Sequence, residues 1–134
     1  MRFVVGADED RPIVTFIAER LRDKGHEARI LPVASWARVA IEVARAVAKG
    51  EADQGVVCCW TGTGVAMAAN KVDRVRAALC VDAQTAAGAR KWNDANVLAL
   101  SLRLLSEPVA AEIVDAWLSE PYGGTEGESL SLLR

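Results

Sequence analysis

Short runs of β-branched and small apolar residues alternate along the chain with longer stretches whose apolar positions follow helical spacing. The short runs predict strands at residues 2–6, 27–31, 55–59, 76–80 and 96–100. Helices are predicted at residues 11–24, 35–49, 65–71, 82–91 and 106–119. Ser35 and Asp82 are suited to cap the second and fourth of these helices, and Gly25 and Gly50 are suited to end the first and second.

This alternation predicts a single fold class. Consecutive parallel strands need crossover helices, and these helices cover both faces of the sheet. Right-handed crossovers then give an α/β protein, a three-layer αβα Rossmann-like sandwich around a five-stranded parallel sheet. Residues 1–134 are predicted to form one domain, whose Gly-, Ser- and Glu-rich tail at 120–134 packs on the surface or on a partner subunit.

Composition narrows the classes of function. A net charge of −2 argues against nucleic acid as a partner, since a strongly basic face would need an equally acidic one elsewhere. No apolar run approaches the ~20 residues of a membrane span, so no membrane partner is expected. The cysteines form neither a disulfide framework nor a C-x-x-C metal motif, and the single histidine, His26, lies in a polar turn. We expect a cytoplasmic protein that uses no metal and no cofactor.

The chemistry concentrates directly after the third predicted strand. Cys59 ends that strand, and a turn rich in glycine and threonine follows it: Trp60, Thr61, Gly62, Thr63 and Gly64. A predicted helix begins behind the turn, so backbone N–H groups and the positive end of a helix dipole face a ligand there. A thiol base beside such donors suits a substrate that loses a C–H proton and forms an oxyanion. The alternative is a structural, P-loop-like turn that follows a core cysteine.

Other polar groups are expected in the same place, because open parallel sheets bind ligands outside the carboxyl ends of their strands. Asp8, Asp82 and Arg103 follow the first, fourth and fifth predicted strands. Asp8 alone could equally cap a helix, and an isolated Arg103 would more often be a surface charge. Their coincidence with the Cys59 turn predicts one crevice.

Several segments carry a resemblance to a known family. They are GEAD at 50–53, GVV at 55–57, C-x-TG-x-G at 59–64, AANKV at 68–72, RAALC at 76–80 and NDANVL at 93–98, with Arg103 beyond them. In combination they resemble the type B ribose-5-phosphate isomerases and the related galactose-6-phosphate isomerases. The resemblance extends from Gly6 nearly to Tyr122.

The resemblance implies an aldose–ketose isomerase that works through a cis-enediolate. Its site would be shared between two subunits of a homodimer, which could pair further into a tetramer. Cys59 falls on the family's base, and Val65 stands where some members carry a glutamate base instead. Thr61 and the amides through Gly64 would hold the enediolate oxygens. Asp8 and Asn93 match positions that contact sugar hydroxyls.

The chain also departs from the family pattern, mostly where the family binds phosphate or opens the sugar ring. Its tail residues 123–128 lack the family's phosphate-binding arginines, which leaves Arg103, with Arg11 as a candidate substitute. The substituted positions are Glu9 for a phosphate-contacting histidine, Trp92 for the ring-opening histidine, Trp60 for the first glycine of the turn, and Trp36 for a ligand-facing tyrosine.

These departures predict a different substrate. A phosphate dianion needs several donors or positive charges, and a furanose ring opens poorly without a general acid. We therefore expect a short or open-chain aldose or ketose, phosphorylated or not, and poor use of ribose 5-phosphate. Alternatively, the indoles fill the core or a dimer contact, or the protein has lost catalysis and binds a carbohydrate or another protein. A nucleotide-binding module is disfavoured because the turn matches no nucleotide motif.

Overall fold

The computed structural model describes residues 1–133, and its strands form one parallel sheet. They are β1 (Arg2–Ala7), β2 (Glu27–Ile30), β3 (Gln54–Cys59), β4 (Ala77–Leu79) and β5 (Val97–Ser101), in the order β2-β1-β3-β5-β4. Every neighbouring pair is parallel. The predicted α/β fold class is therefore confirmed, and the strand ends differ from the prediction by single residues.

Helices follow each strand, as the periodicity predicts. They are α1 (Pro12–Asp23), α2 (Trp36–Ala48), α3 (Thr63–Asn70), α4 (Ala83–Asn93), α5 (Glu107–Ser119) and α6 (Gly127–Ser131). The Ser35 and Asp82 side chains accept from the backbone N–H groups of Arg38 and Thr85, so both predicted caps are present. The short α6 was not predicted, because its composition gives no apolar periodicity and it buries no residue. None of the helices within residues 1–133 combines the length and apolarity needed to cross a membrane.

The sheet separates two apolar layers. Helices α1, α4 and α5 cover one face, where Ile17, Ala86 and Trp117 are buried, and α2 and α3 cover the other, where Val43 and Ala69 are buried. Glycines of β1 and β3 let α2 approach closely: a Cβ added to Gly6 or to Gly55 would lie 2.5 Å or 2.4 Å from a valine methyl of α2. Because all the strands are parallel, their carboxyl ends lie at one rim of the sheet and their amino ends at the other.

Asparagines from the motif segments secure the sheet edge at β4. The Asn70 side chain donates to the carbonyl of Ala77 (2.9 Å) and accepts from its N–H (2.8 Å), as a further strand would. Asn96 accepts from the N–H of Arg76 (2.7 Å) and donates to the carbonyl of Arg74 (2.9 Å). These residues therefore satisfy backbone groups that the edge strand would otherwise leave unpaired.

A first prediction concerns alkaline stability. Burial, and then the nearby negative charges of Cys59 and Asp8, raises the pKa of the Cys58 thiol from 9.0 to about 12. The unfolded chain loses this proton above pH 9.0 whereas the folded chain retains it, so stability is full below that pH and falls above it. We expect the free energy of unfolding to fall by about 1.4 kcal/mol per pH unit from this thiol alone.

Urea unfolding of the wild type and of Cys58→Ala at a series of alkaline pH values measures this effect. The lost packing of the buried sulfur shifts the variant's whole curve, but its alkaline slope should be shallower than that of the wild type. Equal slopes in the two proteins would mean that Cys58 does not cause the decline.

Candidate functional site

A cavity of about 320 Å³ opens where β1 and β3 end. The chain winds in opposite directions from this point, because β2 lies on one side of β1 and β3 on the other, and open sheets bind ligands at such a switch point. The cavity is lined by Asp8, Trp36, Cys59, Trp60, Thr61, Thr63, Gly64 and Met67. The structure thus brings together the thiol, the turn, Asp8 and Trp36.

Cys59 is the last residue of β3 and is 5% exposed. It belongs to the apolar layer under α2 and α3, whereas Cys58 is buried in the opposite layer, so the two thiols alternate across the sheet as predicted. Hydrogen bonds from β5 fix the end of β3: Leu102 N–H donates to the Cys59 carbonyl (2.9 Å), and Arg103 N–H (3.0 Å) and Ser101 Oγ (2.9 Å) donate to that of Trp60.

The turn after Cys59 requires its glycines. Gly62 has φ +79°, and a Cβ there would lie 2.5 Å from Leu79 Cδ1 and 3.0 Å from a backbone carbon of Leu100. No side chain caps α3, so the N–H groups of its first turn remain for a ligand. Thr61 Oγ1 lies 2.8 Å from Thr63 Oγ1, and the two hydroxyls therefore orient one another at the cavity wall.

Trp36 closes the other side of the turn. A Cβ added to Gly64 would lie 2.9 Å from the Trp36 ring, so the indole rests directly on the glycine backbone. Trp36 is 46% exposed and Trp60 47%, and both face the cavity. Neither fills the core. Met67, which lines the same cavity, was missed at the sequence level although it lies one helical turn after Thr63 and shares its face.

Asp8 brings an unsatisfied carboxylate into the cavity. Its Oδ1 is buried and has no hydrogen-bond partner within residues 1–133. Burial, and then the negative charge of Glu9, raises the pKa of the Asp8 carboxyl, while its own backbone N–H and Arg11 oppose the shift. Asp8 does not cap α1, whose N-terminus has no side-chain cap. Asp8 thus lines the cavity with one oxygen buried and without a partner, an unused acceptor beside the site.

Glu9 and Arg11 form an ion pair beside Trp60. Arg11 Nε donates to Glu9 Oε2, and the guanidinium carbon lies 5.0 Å from the centre of the Trp60 ring. Glu9 stands where the family pattern has a phosphate-contacting histidine, and Arg11 compensates its negative charge. Arg103 is exposed and its N–H bonds the Trp60 carbonyl, but it is not among the cavity-lining residues.

Trp92 and Asn93 lie elsewhere, at the end of α4. Because Val97 pairs with Gly55 and Ser101 with Cys59, α4 ends at the opposite rim of the sheet from the thiol. That rim is at least about 13 Å away, the rise of four strand residues. The expectation that Asn93 surrounds the Cys59 turn is therefore not met within one chain. Asn93 instead lines a cavity of about 350 Å³ with residues of the loop before β4.

Trp92 and Asp82 also lie outside the site cavity. The Trp92 ring is 52% exposed and packs over Gly88 of its own helix, and Asp82 caps α4. In the described part of the chain, no group of three or more histidine, cysteine, aspartate or glutamate side chains could hold a metal ion. The donors of the cavity are thus a thiol, hydroxyls, backbone N–H groups and one carboxylate.

Comparisons with known proteins show the family of the chain. Residues 4–131 match the family model described as Ribose/Galactose Isomerase. Ribose-5-phosphate isomerase B of Escherichia coli is 46% identical over 85 residues, which are 63% of this chain and 57% of that protein. D-erythrulose-4-phosphate isomerase of Pectobacterium atrosepticum is 42% identical over 86 residues, 64% of this chain and 57% of that protein.

A solved structure extends the likeness to nearly the whole fold. Type B ribose 5-phosphate isomerase of Trypanosoma brucei superposes with a TM-score of 0.93 at 37% identity, covering 98% of this chain and 95% of that one. The aligned regions span little more than half the length of the two curated relatives above. The family match, by contrast, covers nearly every residue from β1 to α6, and the chain therefore belongs to the ribose/galactose isomerase family.

Proposed function

We propose that the protein is an aldose–ketose isomerase that acts on a short, open-chain sugar phosphate or sugar, with Cys59 as the base. The observation that carries the proposal is one cavity lined by Cys59, by Asp8 and by the first residues of the uncapped helix α3. The named activities of the two curated relatives, on ribose 5-phosphate and D-erythrulose 4-phosphate, support the same reaction class.

The proposed reaction moves one proton between adjacent carbons. The Cys59 thiolate takes the C2 proton of the aldose, and the electron pair of that C–H bond forms the C1–C2 double bond of a cis-enediolate. The Thr61 hydroxyl and the N–H groups of the turn through Gly64 hold the enediolate oxygens, whose negative charge the α3 N-terminus stabilises. Cys59 then returns the proton to C1, a hydroxyl proton passes from O2 to O1, and the ketose is complete.

An open-chain substrate agrees with the residues of the site. A four-carbon sugar that carries phosphate on its last carbon has no free hydroxyl that could close a five-membered ring, so it needs no ring-opening acid. Trp92 stands where the resemblance places that acid, and an indole N–H can donate a hydrogen bond but cannot transfer its proton as a general acid. Trp60 and Trp36 narrow the cavity with flat apolar surface suited to the C–H face of a short sugar.

The proposal includes a homodimer. Asn93 lies at the opposite rim of the sheet from Cys59, so the two can contact one substrate only if a second copy supplies the asparagine. The same applies to Trp92, whose exposed ring would enter the partner's cavity. The Glu9–Arg11 pair and Arg103 remain as candidate contacts from the first copy. Pairing of such dimers into tetramers stays a prediction.

A second candidate function is a catalytically altered member that binds a carbohydrate or acts as an interaction module. The exposed Trp60 and Trp92, which replace a glycine and a histidine of the family pattern, favour it because exposed indoles are typical of binding surfaces. Intact sugar binding without any proton exchange would support this alternative.

Proton exchange in D₂O tests the base. NMR of tetroses, pentoses and their phosphates should show both isomerisation and deuterium at the carbon next to the carbonyl, with ribose 5-phosphate a poor substrate. Cys59→Ala should abolish both, since no other titratable thiol lines the cavity, whereas Cys58→Ala should retain most of the activity. Ribose 5-phosphate turning over faster than every shorter sugar would contradict the substrate proposal, and equal loss in the two variants would contradict the assigned base.

Asp8→Asn should separate activity from stability. Removing a buried, unpartnered negative charge should raise the free energy of unfolding by about 1 kcal/mol at neutral pH, while loss of the sugar contact lowers kcat/KM by about 10-fold or more. Asp10→Asn, an exposed neighbour, is the matched control and should change neither quantity. Denaturant unfolding and initial-rate kinetics measure the two effects. An Asp8→Asn protein that is less stable than the wild type would contradict the view that the unpartnered Asp8 carboxylate destabilises the fold.

Mixed dimers test the shared site. Cys59→Ala and Asn93→Ala should each have little activity alone, but a heterodimer of the two contains one site with both wild-type groups. Co-expression with two different tags and purification of the heterodimer should restore about half of the wild-type activity per dimer. A heterodimer of Cys59→Ala with Cys59→Ser is the control and should stay inactive; a Cys59→Ala/Asn93→Ala heterodimer that is equally inactive would contradict sharing.

A further inference from the structure

Arg11 stands at the rim of the site with most of its donors free. It is the residue before α1, and only its Nε is engaged, by the Glu9 carboxylate. Neither terminal nitrogen of its guanidinium has a hydrogen-bond partner within residues 1–133. Pro12 follows it, so α1 begins with a residue that offers no backbone donor of its own.

Two contacts orient this partly exposed guanidinium. Glu9 fixes its Nε edge, and the Trp60 ring, 5.0 Å from the guanidinium carbon, lies against it. A guanidinium is planar and carries five N–H donors in a rigid fork, so fixing one edge leaves the terminal nitrogens as a pre-organised pair. Such a pair matches two oxygens of a phosphate, and less ordering entropy is lost on binding than for a free lysine.

Arg11 does not line the cavity itself, but it contacts a residue that does. Trp60 is the neighbour of Cys59 in the chain and lines the cavity, while Arg11 rests on the same ring. Arg11 also acts on the Asp8 carboxyl through its charge. A ligand that places its reacting carbons at Cys59 therefore has a cation beside the Trp60 wall of the cavity.

We propose that Arg11 binds the terminal phosphate of the substrate, with Glu9 and Trp60 as positioning residues, so that the enzyme selects phosphorylated short sugars over neutral ones. This inference rests on the proposed isomerase function and names its substrate class. It also gives Glu9 a role: the carboxylate aims the arginine and is itself neutralised. The histidine and tail arginines that this chain lacks are thereby replaced by one cation supplied from the first loop.

Steady-state kinetics of Arg11→Met test the proposal, with D-erythrulose 4-phosphate and unphosphorylated erythrulose as the paired substrates. Loss of a bidentate, charge-assisted contact should raise KM for the phosphate about 10–100-fold with kcat within about threefold, and should leave kcat/KM for neutral erythrulose unchanged. Arg11→Lys should recover part of the affinity, and Glu9→Gln should raise KM by about 2–5-fold because the fork is no longer aimed. Equal losses on the two substrates would overturn the proposal.

Arg29→Met is the matched control, since it removes an exposed arginine from β2, away from the site cavity. Its KM values should equal those of the wild type, and an increase as large as that of Arg11→Met would overturn the inference by showing a general charge effect.

A binding measurement separates failure of this inference from failure of the proposed function. Titration of the wild type with D-erythrulose 4-phosphate, followed by tryptophan fluorescence, reports binding at Trp60 whether or not turnover occurs. One outcome is that the wild type binds the phosphate but exchanges no protons, and that Arg11→Met does not bind. This outcome would refute the isomerase proposal and support Arg11 as the anion contact. If the wild type instead isomerises neutral sugars and does not prefer the phosphate, the isomerase proposal is supported and the role of Arg11 is refuted.

Discussion

The candidate site is held in place by hydrogen bonds between the carboxyl ends of β3 and β5. The carbonyls of Cys59 and Trp60 accept from Leu102 N–H, Arg103 N–H and Ser101 Oγ, so the chain leaving β3 cannot move independently of the sheet. Gly62 then turns the backbone with φ +79° in a space too small for a side chain, and α3 begins at once. The thiol and the helix N-terminus therefore keep a fixed relation, which proton abstraction beside an oxyanion requires.

Of the two neighbouring acids beside the cavity, Glu9 is paired with a cation and Asp8 is not. Asp8 remains the unsatisfied group, and the raised pKa of its carboxyl reflects burial beside a second acid. Glu9, the second acid, is compensated by Arg11, which in turn rests on Trp60. Glu9, which replaces a phosphate-contacting histidine of the family pattern, thus belongs to a group of three contacting side chains, Glu9, Arg11 and Trp60. The terminal nitrogens of Arg11 have no hydrogen-bond partner within residues 1–133.

Periodicity predicted the order of elements and the parallel sheet, because the helix and strand repeats differ along nearly the whole chain. The caps at Ser35 and Asp82 followed from the residue types at the predicted helix starts. The Cys59 turn was found by its glycines, since only special backbone geometry needs them at that spacing. Met67 and the Glu9–Arg11–Trp60 unit were not found, because they depend on which side chains meet across loops. The short α6 escaped because it buries nothing and leaves no apolar signature.

The sequence by itself determined the fold class, the place of the thiol turn at a strand end and the membership suggested by its motifs. These are local properties, set by residue spacing and backbone sterics. The tertiary structure decided which groups share a cavity. It brought Asp8, Trp36 and Cys59 together and put Asn93 at the far rim, because the strand register fixes the length of sheet between them. A motif can name the residues of a site, but only the register of β3 against β5 determines which of them one chain can bring to it.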